Sequence, residues 1–396
     1  MSDQLYTPYG FRDILFDEAA ALGWIQEKLR SVFARFGYRH VETPLVEYLD
    51  VFSAERGSVA PRDMYKFIDR EGDLLVLRPD MTPALARMVS LYFREADLPI
   101  RVTSSGSTFR YNSRYSAKQR QLRQTGIELY GHASSFEDAE VLCAAVHSLK
   151  ALNLSDHRIT IGHARLVSDL MQALKVPADQ QDEWSREIES KNVFSLEQKA
   201  MQCAFTEDQA KMLSLVTEAG DRSLLTEGYD LAKRLQAEEL AKDFGWLLEV
   251  DYYLQAYQVQ EDVLFDPGMK PELTYYTGVI FKGYVLGAAE PVLDGGRYDA
   301  LLYQVGSSFD AVGFGFYEDR LLEAVKAQKI VTEQEAFTLV TGADPGQVIR
   351  TADCLREKGE LVMAIPGLDQ QQAEHYAATH QCARIVMTGQ EGQVEA

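Results

Sequence analysis

The sequence predicts an α+β protein: an antiparallel sheet flanked by helices, interrupted by a helical insert over about 164–256 and followed by a small α/β domain over 336–396. Three observations carry this expectation. IRVTSSGSTFRYN (residues 100–112) and RQTGIELYG (123–131) read as antiparallel strands joined by the polar, irregular stretch from Ser113 to Gln121. From Ala164 to about Ala256 the composition turns acidic and glutamine-rich, and runs such as LVSDLMQALKV and LLTEGYDLAKRLQ take helical spacing. Beyond Glu335, the runs AFTLVTG, LVMAIPG and ARIVMTG alternate with helical stretches at 346–358 and 368–380, as βαβ units do.

The remaining elements follow in order. Leu22, Ile25, Leu29, Val32, Phe33 and Phe36 recur at three- and four-residue steps, so residues 17–36 form an amphipathic helix. Asp17 and Glu18 favour its start and Gly37 suits the position just past its end. YRHVETP alternates like a strand and stops at Pro44. LLVLRP (74–79) reads as a buried strand, followed by a helix over 82–94 with Pro83 in its first turn. A helix near 137–152 leads into the strand HRITIGH. Strands return at 274–285, 289–293 and 311–317, and a helix starts at Glu318. Asp294-Gly295-Gly296 reads as a turn. A domain spanning 1–325, with its insert, and a separate 336–396 domain are the expected organisation.

Composition narrows the function classes. With 40 basic and 60 acidic residues the formal charge is −20, a field that repels phosphate backbones, and no lysine- or arginine-rich run relieves it. Nucleic acid is therefore not an expected partner. Met1 to Phe11 lacks the apolar core of a signal peptide, and no apolar run approaches the ~18–20 residues of a membrane span. Cys143, Cys203, Cys354 and Cys382 lie far apart, with no metal-ligand spacing, and suit small buried hydrophobes of a reduced, cytoplasmic protein. There is no P-loop, GxGxxG context, GxSxG or HExxH, and His40, His132 and His163 are isolated, so neither a cofactor nor a metal is expected.

One constellation does suggest chemistry. LRPDMT places Asp80 and Thr82 at the end of a strand, and FRYN puts Arg110 on another. Gln124 and Glu128, an even number of residues apart, share one face of the next strand. Carboxylates suit an α-ammonium, and an arginine fork suits an α-carboxylate. Tyr275, Tyr276 and Tyr298 would add an aromatic wall with hydroxyl handles. The same groups also suit a set of mutually satisfied ion pairs in a polar core.

Together these strings resemble the class II histidyl-tRNA synthetase catalytic domain over about residues 5–325, the insert excepted, with the motif order intact. VETP resembles the strand of motif 1, which implies a dimer interface. LRPDMT resembles the Arg-Pro-Glu-Gly-Thr string, which implies that Asp80 and Thr82 hold a substrate ammonium group. FRYNSRYSAKQRQLRQTGIE aligns without gaps on motif 2, with Arg110, Gln124 and Glu128 at binding positions. YYTG and GGRYD resemble the two histidine-specific strings, so Tyr275, Tyr276 and Tyr298 would flank an imidazole. VGFGFYEDRL resembles motif 3, with Arg320 at its arginine position.

The departures fall on the nucleotide side. Asn112 and Ser113 stand where motif 2 has a glutamate and an arginine, and Ala117-Lys118 replaces Gly-Arg. Pro271 occupies the place of the catalytic arginine, and Tyr317 that of a glycine admitting the nucleotide. Losing one preorganised charge stabiliser costs ~3–4 kcal/mol of barrier. The tail after Glu335 is also shorter and more acidic than an anticodon-binding domain.

A kept amino-acid pocket beside a dismantled ATP site resembles the regulatory-subunit family of ATP phosphoribosyltransferase. That resemblance implies a non-catalytic chain of the first step of histidine biosynthesis, with L-histidine as effector. It further implies a short-form catalytic subunit as partner and a hetero-octamer. A divergent histidine-activating ligase is the alternative, with Lys270 or Arg114 supplying the missing cation.

Overall fold

The computed structural model describes residues 6–52, 59–111, 119–331, 336–380 and 382–389. The chain divides into two compact units, Met1–Val331 and Thr332–Ala396. In the first, helix α1 (Phe16–Arg35) buries Ile25, Leu29 and Phe33 completely. Each such side chain removed from water is worth ~1.5–3 kcal/mol. Gly37, at φ +80°, ends the helix: its N–H and that of Tyr38 reach back to the carbonyls of Ala34 and Phe33, both at 3.0 Å.

Short strands β1 (Arg39–His40), β2 (Val46–Tyr48), β3 (Lys66–Ile68) and β4 (Leu74–Leu77) follow, then helix α2 (Thr82–Tyr92). The long hairpin pair β5 (Ile100–Phe109) and β6 (Gln121–Gly131), helix α3 (Ser135–Ala151) and strand β7 (His157–His163) come next. The insert consists of α4 (Leu166–Ala173), α5 (Gln181–Glu189), α6 (Val193–Gln202), α7 (Glu207–Leu215), α8 (Arg222–Arg234) and α9 (Glu238–Ala256). Strands β8 (Val263–Phe265), β9 (Val279–Val285) and β10 (Leu293–Arg297), helix α10 (Asp299–Gln304), strand β11 (Asp310–Tyr317) and helix α11 (Glu318–Ala327) complete the unit.

Among the described residues the main sheet has eight strands in the order β1-β5-β6-β11-β10-β9-β7-β8. Its six central strands are antiparallel, as the sequence predicts, whereas the edge strands β1 and β8 run parallel to their neighbours. Helices α1, α3, α9 and α11 share one core with the sheet, Phe33 meeting Phe314 edge-on with ring centroids 6.0 Å apart. The second unit holds a parallel sheet of β12 (Phe337–Gly342), β13 (Val362–Ala364) and β14 (Cys382–Thr388), with helices α12 (Pro345–Glu357) and α13 (Gln370–Thr379). No helix among the described residues is long and apolar enough to cross a membrane.

Four expectations need correction. Of the four cysteines expected to be small buried hydrophobes, Cys143 is buried, Cys382 is half-buried, and Cys203 and Cys354 are exposed. LLVLRP is not a fully buried strand: in the small sheet β2-β4-β3, Val76 is buried, Leu75 and Leu77 on the other face are half-buried, and Leu74, at the strand's start on the same face as Val76, is exposed. Tyr275 and Tyr276 precede β9 and do not lie on it. Asp294-Gly295-Gly296 is the heart of strand β10 and not a turn. Its glycines answer to crowding: a Cβ on Gly295 would come within 2.5 Å of Phe281 and of Phe314, and one on Gly296 within 2.7 Å of Tyr276.

Candidate functional site

Register across three central strands builds the floor of one cavity. Glu128 on β6 lies opposite Gly313 on β11, which lies opposite Gly296 on β10. The next row is Gly126, Gly315 and Asp294, and Gln124 faces Tyr317 beyond it. Directly paired residues project from the same face of a sheet, so Gln124, Glu128, Asp294 and Tyr317 rise around a strip of glycine. Gly313 has no room for a side chain, since a Cβ there would fall 1.7 Å from Glu128 Oε2. Gly315 is different: a Cβ there would meet only Gln124 Nε2, at 4.0 Å. The space above Gly315 is open.

The walls come from elsewhere in the chain. Asp80 and Thr82 stand at the start of α2, and Asp80 Oδ1 accepts the Thr82 N–H at 3.3 Å. Tyr275, Tyr276 and Tyr298 pack as a trio with centroid separations of 4.9 and 5.8 Å from Tyr275. Arg110 follows β5, and its Nε donates to the Pro79 carbonyl at 3.1 Å. All eight residues expected from sequence line this one cavity of about 50 Å³. That is several times the space of about 10–15 Å³ that one water needs.

The electrostatics are uneven. Glu128 is buried and accepts hydrogen bonds from Tyr298 at 2.6 Å and Thr82 at 2.8 Å. Burial nevertheless pushes its carboxyl up to about 8, with the Asp80 charge adding to the rise against the two hydroxyls. Asp80 Oδ2 accepts from Tyr275 at 3.3 Å. Arg110 is held above its ordinary value although burial opposes its charge, because Tyr317, Asp80, Tyr275 and Asp294 surround it. Two buried acceptors in the wall, Gln124 Oε1 and Asp294 Oδ1, lack a partner among the described residues. Such orphans are costly unless something binds them. Of the groups read from sequence, Asp80, Thr82, Glu128, Tyr275 and Tyr298 are thus hydrogen-bonded among themselves, whereas Gln124 keeps a bare oxygen.

Beyond Tyr317 lies a second, smaller cavity of about 30 Å³, lined by Lys270, Pro271, Glu272, Lys282 and Phe281 among others, and sharing Arg110, Tyr276, Asp294 and Tyr317 with the first. Tyr317 donates to Asp294 Oδ2 at 2.8 Å on this shared wall. Arg320 stacks on the Tyr317 ring at 4.1 Å, and its guanidinium is bound to Glu290 and the Pro291 carbonyl. Lys282 is paired with Glu272. Asn112, Ser113, Arg114, Ala117 and Lys118 lie outside the described residues. Among the described residues no group of histidine, cysteine and carboxylate side chains is placed to hold a metal.

Sequence reasoning missed Asp294 and the glycine floor. The signal was present as a two-residue alternation, Asp294 and Gly296 sharing a strand face, but consecutive glycines after an aspartate read as turn chemistry.

Comparisons with known proteins bear on the family and the fold. The family model for histidyl-tRNA synthetase matches residues 10–321. The ATP phosphoribosyltransferase regulatory subunit of Acetivibrio thermocellus is 32% identical, over 95% of this chain and 90% of its own length. The regulatory subunit of Desulfitobacterium hafniense is 34% identical, over 93% and 94%. A crystal structure described as an ATP phosphoribosyltransferase regulatory subunit/histidyl-tRNA synthetase from Bacillus halodurans superposes with a TM-score of 0.83 at 25% identity, over 98% of this chain and 99% of that one. The chain thus has the class II synthetase fold, and it belongs to the family of ATP phosphoribosyltransferase regulatory subunits, relatives of histidyl-tRNA synthetase.

Proposed function

We propose that this chain is a non-catalytic regulatory subunit that binds L-histidine in the glycine-floored cavity and conveys feedback to a short-form ATP phosphoribosyltransferase catalytic subunit at the first step of histidine biosynthesis. The regulatory-subunit names of its relatives support the role. One observation carries the ligand assignment: the cavity gathers carboxyls, an arginine and three tyrosines, and still holds buried acceptors with no partner among the described residues. A zwitterion with a second N–H-bearing group satisfies such a set. The α-carboxylate meets Arg110 and the ammonium meets Asp80 and Thr82. The imidazole lies among Tyr275, Tyr276 and Tyr298 with a ring N–H on Glu128, a buried carboxyl of the cavity. Residues after β1 in the motif 1 region form the self-dimer contact on this reading, and the protein works in the cytoplasm.

Nucleotide chemistry finds little support. Tyr317 and Asp294 stand on the wall toward the second cavity, and an aspartate there repels a phosphate. Arg320 is already committed to Glu290. Lys270, which lines the second cavity, is the one observation that favours a histidine-activating ligase.

Titration calorimetry of L-histidine into the purified chain tests the proposal. Saturable binding is expected, and no heat from a folded sample defeats it. Histidine-dependent ATP–pyrophosphate exchange is expected to stay at background, and robust exchange would establish the ligase instead.

A further inference from the structure

Asp294 has no part in the reading above beyond repelling phosphate, yet its surroundings ask for a ligand. It sits on β10 directly opposite Gly315, and Gly315 opposite Gly126, so its carboxyl overlooks the one open stretch of the cavity floor. Tyr317 fixes Oδ2 with a 2.8 Å hydrogen bond. Oδ1 is sealed from solvent and has no hydrogen-bond partner among the described residues. Arg110 lines the same wall without a hydrogen bond to it among those described. A carboxyl oriented through one oxygen, with the other bare, on a residue that lines the cavity opposite Gly315, is arranged to receive a donor from a bound molecule. Burial, with Glu272 nearby, holds Asp294 above the ordinary carboxylate range, and an arriving cation would oppose that rise.

We infer that Asp294 is a further effector-binding residue, which accepts a hydrogen bond from the primary ammonium group of the amino acid and thereby selects α-amino acids over deaminated analogues. This rests on the histidine-binding reading. The ammonium and carboxylate of an amino acid are one carbon apart, so a ligand whose carboxylate reaches Arg110 brings its ammonium to this same wall. Asp80 and Asp294 then hold the ammonium from two sides, and the Tyr317 hydroxyl keeps the second carboxyl from turning away.

The test is a cycle that changes protein and ligand in turn. Affinities of the unaltered chain and of Asp294→Asn, which keeps the shape and an acceptor for Tyr317, are measured for L-histidine and for 3-(imidazol-4-yl)propionate, the same molecule without its amino group. A charge-assisted bond of this kind predicts a loss of about 10-fold or more for L-histidine in Asp294→Asn. Little or no loss is expected for the deaminated ligand. Equal losses for both ligands, or none for L-histidine, would overturn the assignment. Asp294→Glu, which keeps the charge, guards against a fold defect: it is expected to retain more affinity for L-histidine than Asp294→Asn, and the reverse order also overturns it. Failure of the unaltered chain to bind L-histidine would instead remove the underlying reading.

Discussion

The two cavities on either side of Tyr317 differ in how far their polar groups are satisfied. On the glycine-floored side, Gln124 keeps a bare buried oxygen and burial pushes Glu128 up to about 8, while Asp294 keeps a bare oxygen on the shared wall. On the far side, Lys282 is paired with Glu272, and Arg320 with Glu290. Unsatisfied buried groups cost stability and persist where a ligand completes them, whereas internally paired charges have no such need. Within one fold, then, polar groups around the first cavity remain unsatisfied while the charges named on the far side are paired with one another.

The largest expected effect breaks the frame of the first cavity. Arg297, 3% exposed, donates to Asp138 at 2.7 and 3.0 Å and to Asp299 at 3.2 Å, next to Tyr298 in the wall. Arg297→Ala leaves buried carboxylates uncompensated and should cost about 3–5 kcal/mol of unfolding free energy by denaturant titration. L-histidine affinity should fall with it.

A second prediction sharpens the contrast through pH. Empty, Glu128 titrates at about 8. A free imidazole titrates near about 6.5. The complex holds one proton between them. Below about 6.5 both partners start protonated and one proton must leave, and above about 8 both start bare and one must be taken up. L-Histidine affinity should therefore peak between those values, with calorimetry in buffers of different ionisation enthalpy showing proton release on the acid side and uptake on the alkaline side. Glu128→Ala should lower affinity about 10- to 100-fold, and a flat pH profile in the unaltered chain would remove Glu128 from the ring. The unliganded fold follows the opposite sign from a salt-bridged carboxylate. Glu128 binds more protons folded than unfolded between its ordinary 4.5 and about 8, so its contribution to stability is lost as pH rises through that window. Glu137, pushed up to about 7 by burial, adds to the slope.

The smallest effect lies on the far side. Arg320→Ala breaks an ion pair whose side chains are 21% and 46% exposed, so it should cost no more than about 1 kcal/mol. The L-histidine dissociation constant should stay within about twofold. A large loss of affinity would show that ligand binding depends on the Arg320–Tyr317 stack.

Most of the fold was legible because its strongest signals are local. The β5–β6 pair, the helical insert and the alternating tail all announce themselves by periodicity, and Gly37 by the left-handed turn that it closes. The eight expected site residues line one cavity: strand alternation gave Gln124 and Glu128 a common face, and the other six were legible only through the resemblance of their motifs. What escaped was set by tertiary contact. β10 carries glycines because Tyr276, Phe281 and Phe314 press on it, a cause no local propensity reveals. The parallel edges β1 and β8 are two and three residues long, too short to signal direction. Asp294 was lost with the strand that carries it.

The bare floor at Gly315 has a consequence for inheritance. On the reading proposed here, a single methyl group planted there would occupy the volume that the effector needs while touching little else, since Gln124 Nε2, 4.0 Å away, is its nearest neighbour. One nucleotide change from glycine to alanine is then the shortest route to a subunit that folds, assembles and no longer hears the end product, and selection for amino-acid overproducers would be expected to find it.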